Sequence, residues 1–153
     1  MSGRSTQEGF VALEFALGAG LLVVPVALLV LSFPGWVERR SAAQVAAHEA
    51  ARTAVVAHDI DAARTTIQAL VATIGESHGL EPSELEVCLV AHELGVPPPP
   101  CAVPPSLARG GAITAWVDVK IPVVRIPALD LALAETTLTV SHTERVDLYR
   151  SLP

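Results

Sequence analysis

The sequence predicts an α+β protein, in which an N-terminal transmembrane helix continues into a long Ala-rich helix packed against a small antiparallel sheet of about three strands. Three features lead to this prediction. Residues 10–33 form an apolar run, residues 34–79 are rich in Ala with helical periodicity, and residues 80–153 alternate between apolar and polar positions. Residues 1–9 form a short polar segment before the apolar run, and we expect them to be unstructured.

Composition limits the classes of protein that this chain can represent. Hydrophobic residues make up 51% of the 153 residues and charged residues 17%, which is below the usual ~25%. The formal net charge is −6 and Lys120 is the single lysine, so a nucleic-acid partner is not expected. Because only 4% of the residues are aromatic, a soluble core must consist of Val, Leu, Ile and Ala.

The apolar run at 10–33 is long enough to cross a bilayer. At about 1.5 Å per residue it would extend roughly 36 Å as a helix, against a hydrocarbon core of ~30 Å. A cleavable secretory signal has a shorter apolar core of ~7–15 residues, and Trp36 stands where an interfacial aromatic anchor is expected. We therefore predict a single-pass membrane protein. A secreted protein cleaved near Ala43 is the weaker alternative.

The segment at 34–79 contains signals for helix starts and stops. Pro34-Gly35 predicts a bend or a short break, and Ser41-Ala42-Ala43-Gln44 has the pattern of a capping box. Asp59 could serve as a further N-cap that interrupts the helix, and the glycines at 75 and 79 supply its stop.

The same segment carries a stripe of side chains at helical spacing. A 4-3 stride lines one face with positions 42, 46, 49, 53, 56, 60, 63, 67, 70 and 74. The stripe becomes more apolar toward Ile74, so we expect the distal half to pack on an apolar surface. The proximal half is rich in small residues and could sit close against other helices.

Period-two alternation predicts three strands in residues 80–153. These strands lie at 85–91, 113–121 and 137–143. Gly110-Gly111 is a turn into the second strand, and Pro122 and Pro127 end that strand or confine it to a sheet edge. The short apolar segment 129–133 is expected to be a loop.

Cys88 and Cys101 are the only two cysteines, and both lie in the C-terminal part. A disulfide between them would contribute about 3 kcal/mol in the chain-entropy model. Because such bonds persist outside the cytosol, the pair favours an extracytoplasmic position for residues 80–153. Two unpaired, buried thiols are the alternative.

A single carboxylate, Glu14, stands just inside the apolar run, with Gly9-Phe10 shortly before it. A charge at bilayer depth costs roughly 2.5–3.5 kcal/mol on insertion scales. The spacing Gly-Phe-x-x-x-Glu resembles the processing site of type IV pilin precursors. The resemblance implies that a prepilin peptidase cuts between Gly9 and Phe10, that Phe10 becomes N-methylated, and that Glu14 sets subunit register by accepting the amine of a neighbour. The alternative is a carboxylate that reaches the headgroups or is protonated.

Three stretches narrow this resemblance to the TadE-like minor pilins or pseudopilins of tight-adherence (Flp-type) pili. They are Gly9 to Leu17 with the aliphatic run that follows, Glu49-Ala50-Ala51-Arg52, and the Thr-rich stretch 138–146. The resemblance implies a protein of the cytoplasmic (inner) membrane that contributes to pilus assembly or structure. Its implied partners are the membrane, a prepilin peptidase, and other pilins or pilus-assembly proteins.

No pattern in the chain predicts catalysis, a cofactor or a small-molecule substrate. Five histidines occur without metal-ligand spacing, so no metal site is predicted; they are His48, His58, His78, His92 and His142. His92-Glu93 lacks the second histidine of the zinc-protease motif. We therefore expect a protein that is not an enzyme. The main alternative to the pilin hypothesis is an uncleaved single-pass membrane protein with an extracytoplasmic binding domain.

Overall fold

The computed structural model describes residues 5–57, 59–101, 110–126 and 131–147. Two helices precede three strands in the order α1 (Ser5–Val56), α2 (Ile60–Ser77), β1 (Leu85–His92), β2 (Ala112–Ile126) and β3 (Leu131–Arg145). The predicted α+β class with a three-stranded antiparallel sheet is confirmed. The chain divides into two compact units, Met1–Pro34 with Pro122–Glu135, and Gly35–Ile121 with Thr136–Pro153.

Helix α1 is 52 residues long and contains both Pro25 and Pro34. Of the bend or short break predicted at Pro34-Gly35, the break is wrong, because α1 continues through both prolines. Each proline removes only one backbone donor, and the turns on either side remain helical. The capping box at Ser41 is also wrong, since a helix that arrives from upstream leaves no free N–H groups there. Residues 1–9 were expected to be unstructured, but Ser5–Gly9 are helical.

In the first unit, α1 presents apolar side chains on all sides. Leu21 is 81% exposed, Phe15 77% and Leu22 70%. Within the described residues, one helix is long and apolar enough to cross a membrane: Phe10–Val56, with a mean hydropathy of 2.5 in its most apolar window. Because an apolar surface of this extent is unfavourable in water, the helix is compatible with a single-pass membrane anchor.

The predicted interruption near Asp59 is confirmed. Helix α1 ends at Val56, and the Asp59 side chain accepts a hydrogen bond of 2.9 Å from the backbone N–H of Asp61 at the start of α2. The predicted stop is confirmed at Gly79, which follows the last residue of α2, Ser77, with φ +68°, but it is wrong for Gly75, which lies inside the helix. This left-handed conformation suits glycine, which has no Cβ to clash.

The sheet has the strand order β1-β2-β3. Strand β1 pairs with β2 in antiparallel register from Leu85↔Val119 to His92↔Ala112. All three predicted strands are present, but β2 and β3 are longer than predicted. Pro122 lies within β2 and beyond the last β1 partner, so its missing N–H removes no bond of the β1 ladder. The loop predicted at 129–133 is wrong over Leu131–Leu133, which belong to β3, whereas Pro127 lies outside the described residues.

The core lies in the second unit and is built from alanine, valine, leucine and isoleucine side chains. Its largest group is a set of seven alanines of α1 with no exposed surface: Ala42, Ala43, Ala46, Ala47, Ala50, Ala51 and Ala54. They share one cluster with Ile67 of α2 and with Ile113 and Val117 of β2. These alanines thus pack in this chain's own core with α2 and the sheet, rather than against other helices as their small size also permits.

The buried face of the helix departs from the predicted 4-3 stripe. Ala42, Ala46 and Ile67 are buried as predicted, but Val56 is 70% exposed. At 100° per residue, the predicted stripe follows one edge of the buried face of α1, whose centre at Ala43, Ala50 and Ala54 lies roughly a quarter turn away. In α2, which begins after the N-cap Asp59, the stripe residues Ala63 and Ile67 belong to the buried cluster.

Candidate functional site

Gly9, Phe10 and Glu14 all lie on helix α1, near its N-terminal end. Phe10 is 68% exposed, and Glu14 is exposed as well. Residues four apart occupy the same helix face, so the Phe10 backbone nitrogen and the Glu14 carboxylate lie about one turn apart. No hydrogen bond or ion pair joins the carboxylate of Glu14 to any other residue in the described ranges.

One face of the helix beside Glu14 is an open, shallow apolar surface. It is lined by Leu13, Ala16, Leu17, Gly20, Leu21, Val24 and Pro25. A Cβ added at Gly20 would meet no atom within 4 Å, so nothing in the described part of this chain fills the space beside it. Small residues on a membrane helix permit close approach of a second helix.

The predicted disulfide is present and joins Cys88 of β1 to Cys101, with the two Cα atoms 5.9 Å apart. Cys88 is the register partner of Trp116 on β2. The bond therefore anchors the end of the proline run Pro97–Pro100 to the outer strand of the sheet.

Arg39, which lies on α1 just after the apolar run, forms hydrogen bonds to the sheet region. Its Nη1 donates hydrogen bonds to Oε1 of Glu84 at 2.7 Å and to the carbonyl oxygen of Lys120 at 2.8 Å. The other carboxylate oxygen of Glu84 accepts a bond of 2.8 Å from the backbone N–H of Glu81. Sequence analysis missed this contact, because Arg39 and Glu84 are 45 positions apart.

A chain of hydrogen bonds links the three strands through the buried hydroxyl of Thr114. His92 Nδ1 lies 3.0 Å from the carbonyl oxygen of Glu93, so this nitrogen is the donor. In the neutral ring, Nε2 then accepts from Thr114 Oγ1 at 2.9 Å, and Thr114 accepts from the hydroxyl of Thr143 at 2.7 Å. Every member of the chain is satisfied, which fits a structural role in tying β1, β2 and β3 together.

Two histidines meet between α1 and β3. Nδ1 of His48 and Nε2 of His142 are 3.0 Å apart, and the rings form an edge-on pair with centroids 4.5 Å apart. Oε1 of Glu144 lies 3.1 Å from the same Nε2. The spacing of His142 and Glu144 on one strand face was visible in the sequence, but their approach to His48, 94 positions away, was not.

Comparison of the chain with models of known protein families, with curated proteins and with solved structures finds no match. The fold, the long apolar helix and the disulfide are therefore established by this structure alone. The resemblance of the motif around Gly9 and Glu14 to pilin precursors stays a prediction.

Proposed function

We propose that this chain is a pilin-like membrane protein, processed by a prepilin peptidase, that contributes to the assembly or structure of a tight-adherence type pilus. One observation carries the proposal. Glu14 lies exposed on an apolar helix, one turn from Phe10, and has no partner among the described residues. A carboxylate at bilayer depth is costly unless it is paired, so its partner is expected to come from another molecule.

Cleavage after Gly9 would create that partner. The new amino group at Phe10 is a cation at the same level of the membrane as Glu14, and pairing the two charges offsets the cost of removing them from water. If parallel helices pack side by side, the amine of one chain reaches Glu14 of the next when the two are offset by about one turn, roughly 5–6 Å. The pair would thereby set the stagger between subunits.

The open apolar face around Ala16 and Gly20 supports lateral packing of such helices. Lipid tails are as apolar as leucine side chains, so association in the membrane relies on close van der Waals contact and on polar pairs. The apolar residues between Leu13 and Pro25 that line this face supply the van der Waals contact. Glu14 beside them supplies one half of a polar pair.

The disulfide supports an extracytoplasmic position for the β-rich part. Cytosolic thiols are kept reduced, whereas a bond such as Cys88–Cys101 persists outside the cytosol. We accordingly place the apolar run 10–33 of α1 in the cytoplasmic (inner) membrane, with Gly9 at the cytoplasmic end of the span.

Processing is the decisive test. The chain would be recovered from bacterial membranes with and without the prepilin peptidase, and its intact mass and N-terminal residue would be measured. A product that begins at N-methylated Phe10 only when the peptidase is present supports the proposal. A chain that keeps residues 1–9 in both strains would favour an uncleaved membrane-anchored binding protein, and cleavage after the apolar run would indicate a secreted one.

A further inference from the structure

We propose that His48, His142 and Glu144 form a binding site for a divalent transition-metal ion of the Zn²⁺ type, which joins helix α1 to strand β3. The three residues offer two imidazole nitrogens and one carboxylate oxygen, and these atoms all lie within 4.8 Å of one another. This site is independent of the membrane span and of its processing.

Two of the three distances between the donor atoms are close to those of tetrahedral coordination. Metal–ligand bonds of about 2.0–2.1 Å at tetrahedral angles place neighbouring donor atoms roughly 3.3–3.4 Å apart. The two nitrogens are 3.0 Å apart, and Nε2 of His142 is 3.1 Å from Oε1 of Glu144. Small side-chain rotations would therefore convert the hydrogen-bonded cluster into a ligand set.

The kind of donor selects the kind of metal. Imidazole nitrogens favour Zn²⁺, Co²⁺, Ni²⁺ and Cu²⁺, whereas Ca²⁺ and Mg²⁺ prefer sites made only of oxygen. Two histidines and one glutamate form a three-residue set that zinc proteins use when they leave a fourth position to water or to an external ligand. A bound ion would take the place of the proton in the hydrogen bond between His48 Nδ1 and His142 Nε2.

The backbone around the cluster is held by the core. On α1, His48 lies between Ala47 and Ala50, neither of which has any exposed surface. On β3, Val140 packs against the same core. His142 and Glu144 point to one face of β3, and about a third of each side chain is exposed. An ion can therefore enter from solvent, and on binding it links two elements whose positions are already set.

The other two histidines that the structure describes, His78 and His92, lie outside this cluster. His92 uses Nδ1 toward a backbone carbonyl and Nε2 toward Thr114. His78 lies at the end of α2, where its backbone N–H caps the helix. His78 thus provides a matched control, because it is a histidine outside the proposed site.

The test uses the full chain in detergent micelles, without an affinity tag and stripped of metal. Zn²⁺ binding would be measured by titration calorimetry, and the geometry by the visible absorption of Co²⁺. We expect one equivalent of either ion to bind, with the intense spectrum of tetrahedral Co²⁺. Binding should weaken at least about tenfold in H142A and in E144Q and stay unchanged in H78Q.

Several results would overturn the proposal. These are the absence of saturable Zn²⁺ binding at millimolar concentration, equal affinity in H142A, and an equal loss in H78Q. Because a variant could be compromised in folding, X-ray absorption of the Zn²⁺-loaded wild-type chain provides a second test. A spectrum with the scattering of two imidazole rings is expected, and one without imidazole scattering would refute the site.

Discussion

Arg39 and Glu84 form an ion pair of 2.7 Å in which both side chains are largely withdrawn from solvent, with 13% and 23% exposed. The pair joins the part of α1 that follows the apolar run to the residue that precedes β1. Since Arg39 also donates to the carbonyl oxygen of Lys120, one guanidinium binds the helix both to strand β2 and to the residue before β1. Removing one partner of such a pair leaves the other charge poorly solvated.

We therefore predict that R39A lowers the free energy of unfolding by about 2 kcal/mol, the range for hydrogen bonds to charged groups. The measurement is denaturant unfolding of the full chain in detergent, followed by tryptophan fluorescence. R40A is the matched control, because Arg40 is the exposed neighbour of Arg39. Equal stability of the two variants would show that the ion pair contributes nothing.

The buried alanines of α1 lead to a second prediction. Ala50 has no exposed surface and belongs to the cluster formed with the sheet, so A50L forces a larger side chain into filled space. Overpacking of this kind costs about 1–3 kcal/mol. The thermal midpoint of A50L should fall, while Q44L, on the exposed face of the same helix, should leave it within error. An unchanged midpoint for A50L would mean that the helix does not approach the sheet closely.

The disulfide leads to a third prediction. Replacing both Cys88 and Cys101 by serine removes the cross-link between β1 and the end of the proline run. The free energy of unfolding should fall by about 3 kcal/mol in the chain-entropy model. A reducing agent should lower the stability of the wild-type chain by the same amount and leave the double variant unaffected. A reductant effect on the double variant would assign the loss to another cause.

Local sequence signals predicted the features that depend on neighbouring residues. Alternation gave the positions of β1 and β2, and Asp59 marked the start of α2, because each depends on a few consecutive side chains. Local signals failed at Pro34 and Ser41, where the stability of a continuous helix outweighs the preference of single residues.

The contacts between distant segments were not predictable from one sequence. Arg39 meets Glu84, and His48 meets His142, only because α1 packs across the sheet. Within its own segment, each of these polar residues has no neighbour that marks it as part of a contact. Hydrophobic periodicity and capping residues indicate where a helix or strand lies and which of its faces is buried. They do not indicate which polar side chains at the edge of that face come into contact with those of another element.

The final prediction concerns Glu14 and rests on the proposed function. E14Q keeps the shape of the side chain but removes the charge that would accept the Phe10 amine of a neighbour, so subunits lose the contact that sets their stagger. We expect normal membrane insertion and processing but strongly reduced incorporation into pili, measured by immunoblotting of sheared surface filaments against the membrane fraction. E38Q, the same change beyond the apolar run, should assemble normally. Wild-type pilus yield in E14Q would refute the proposed register.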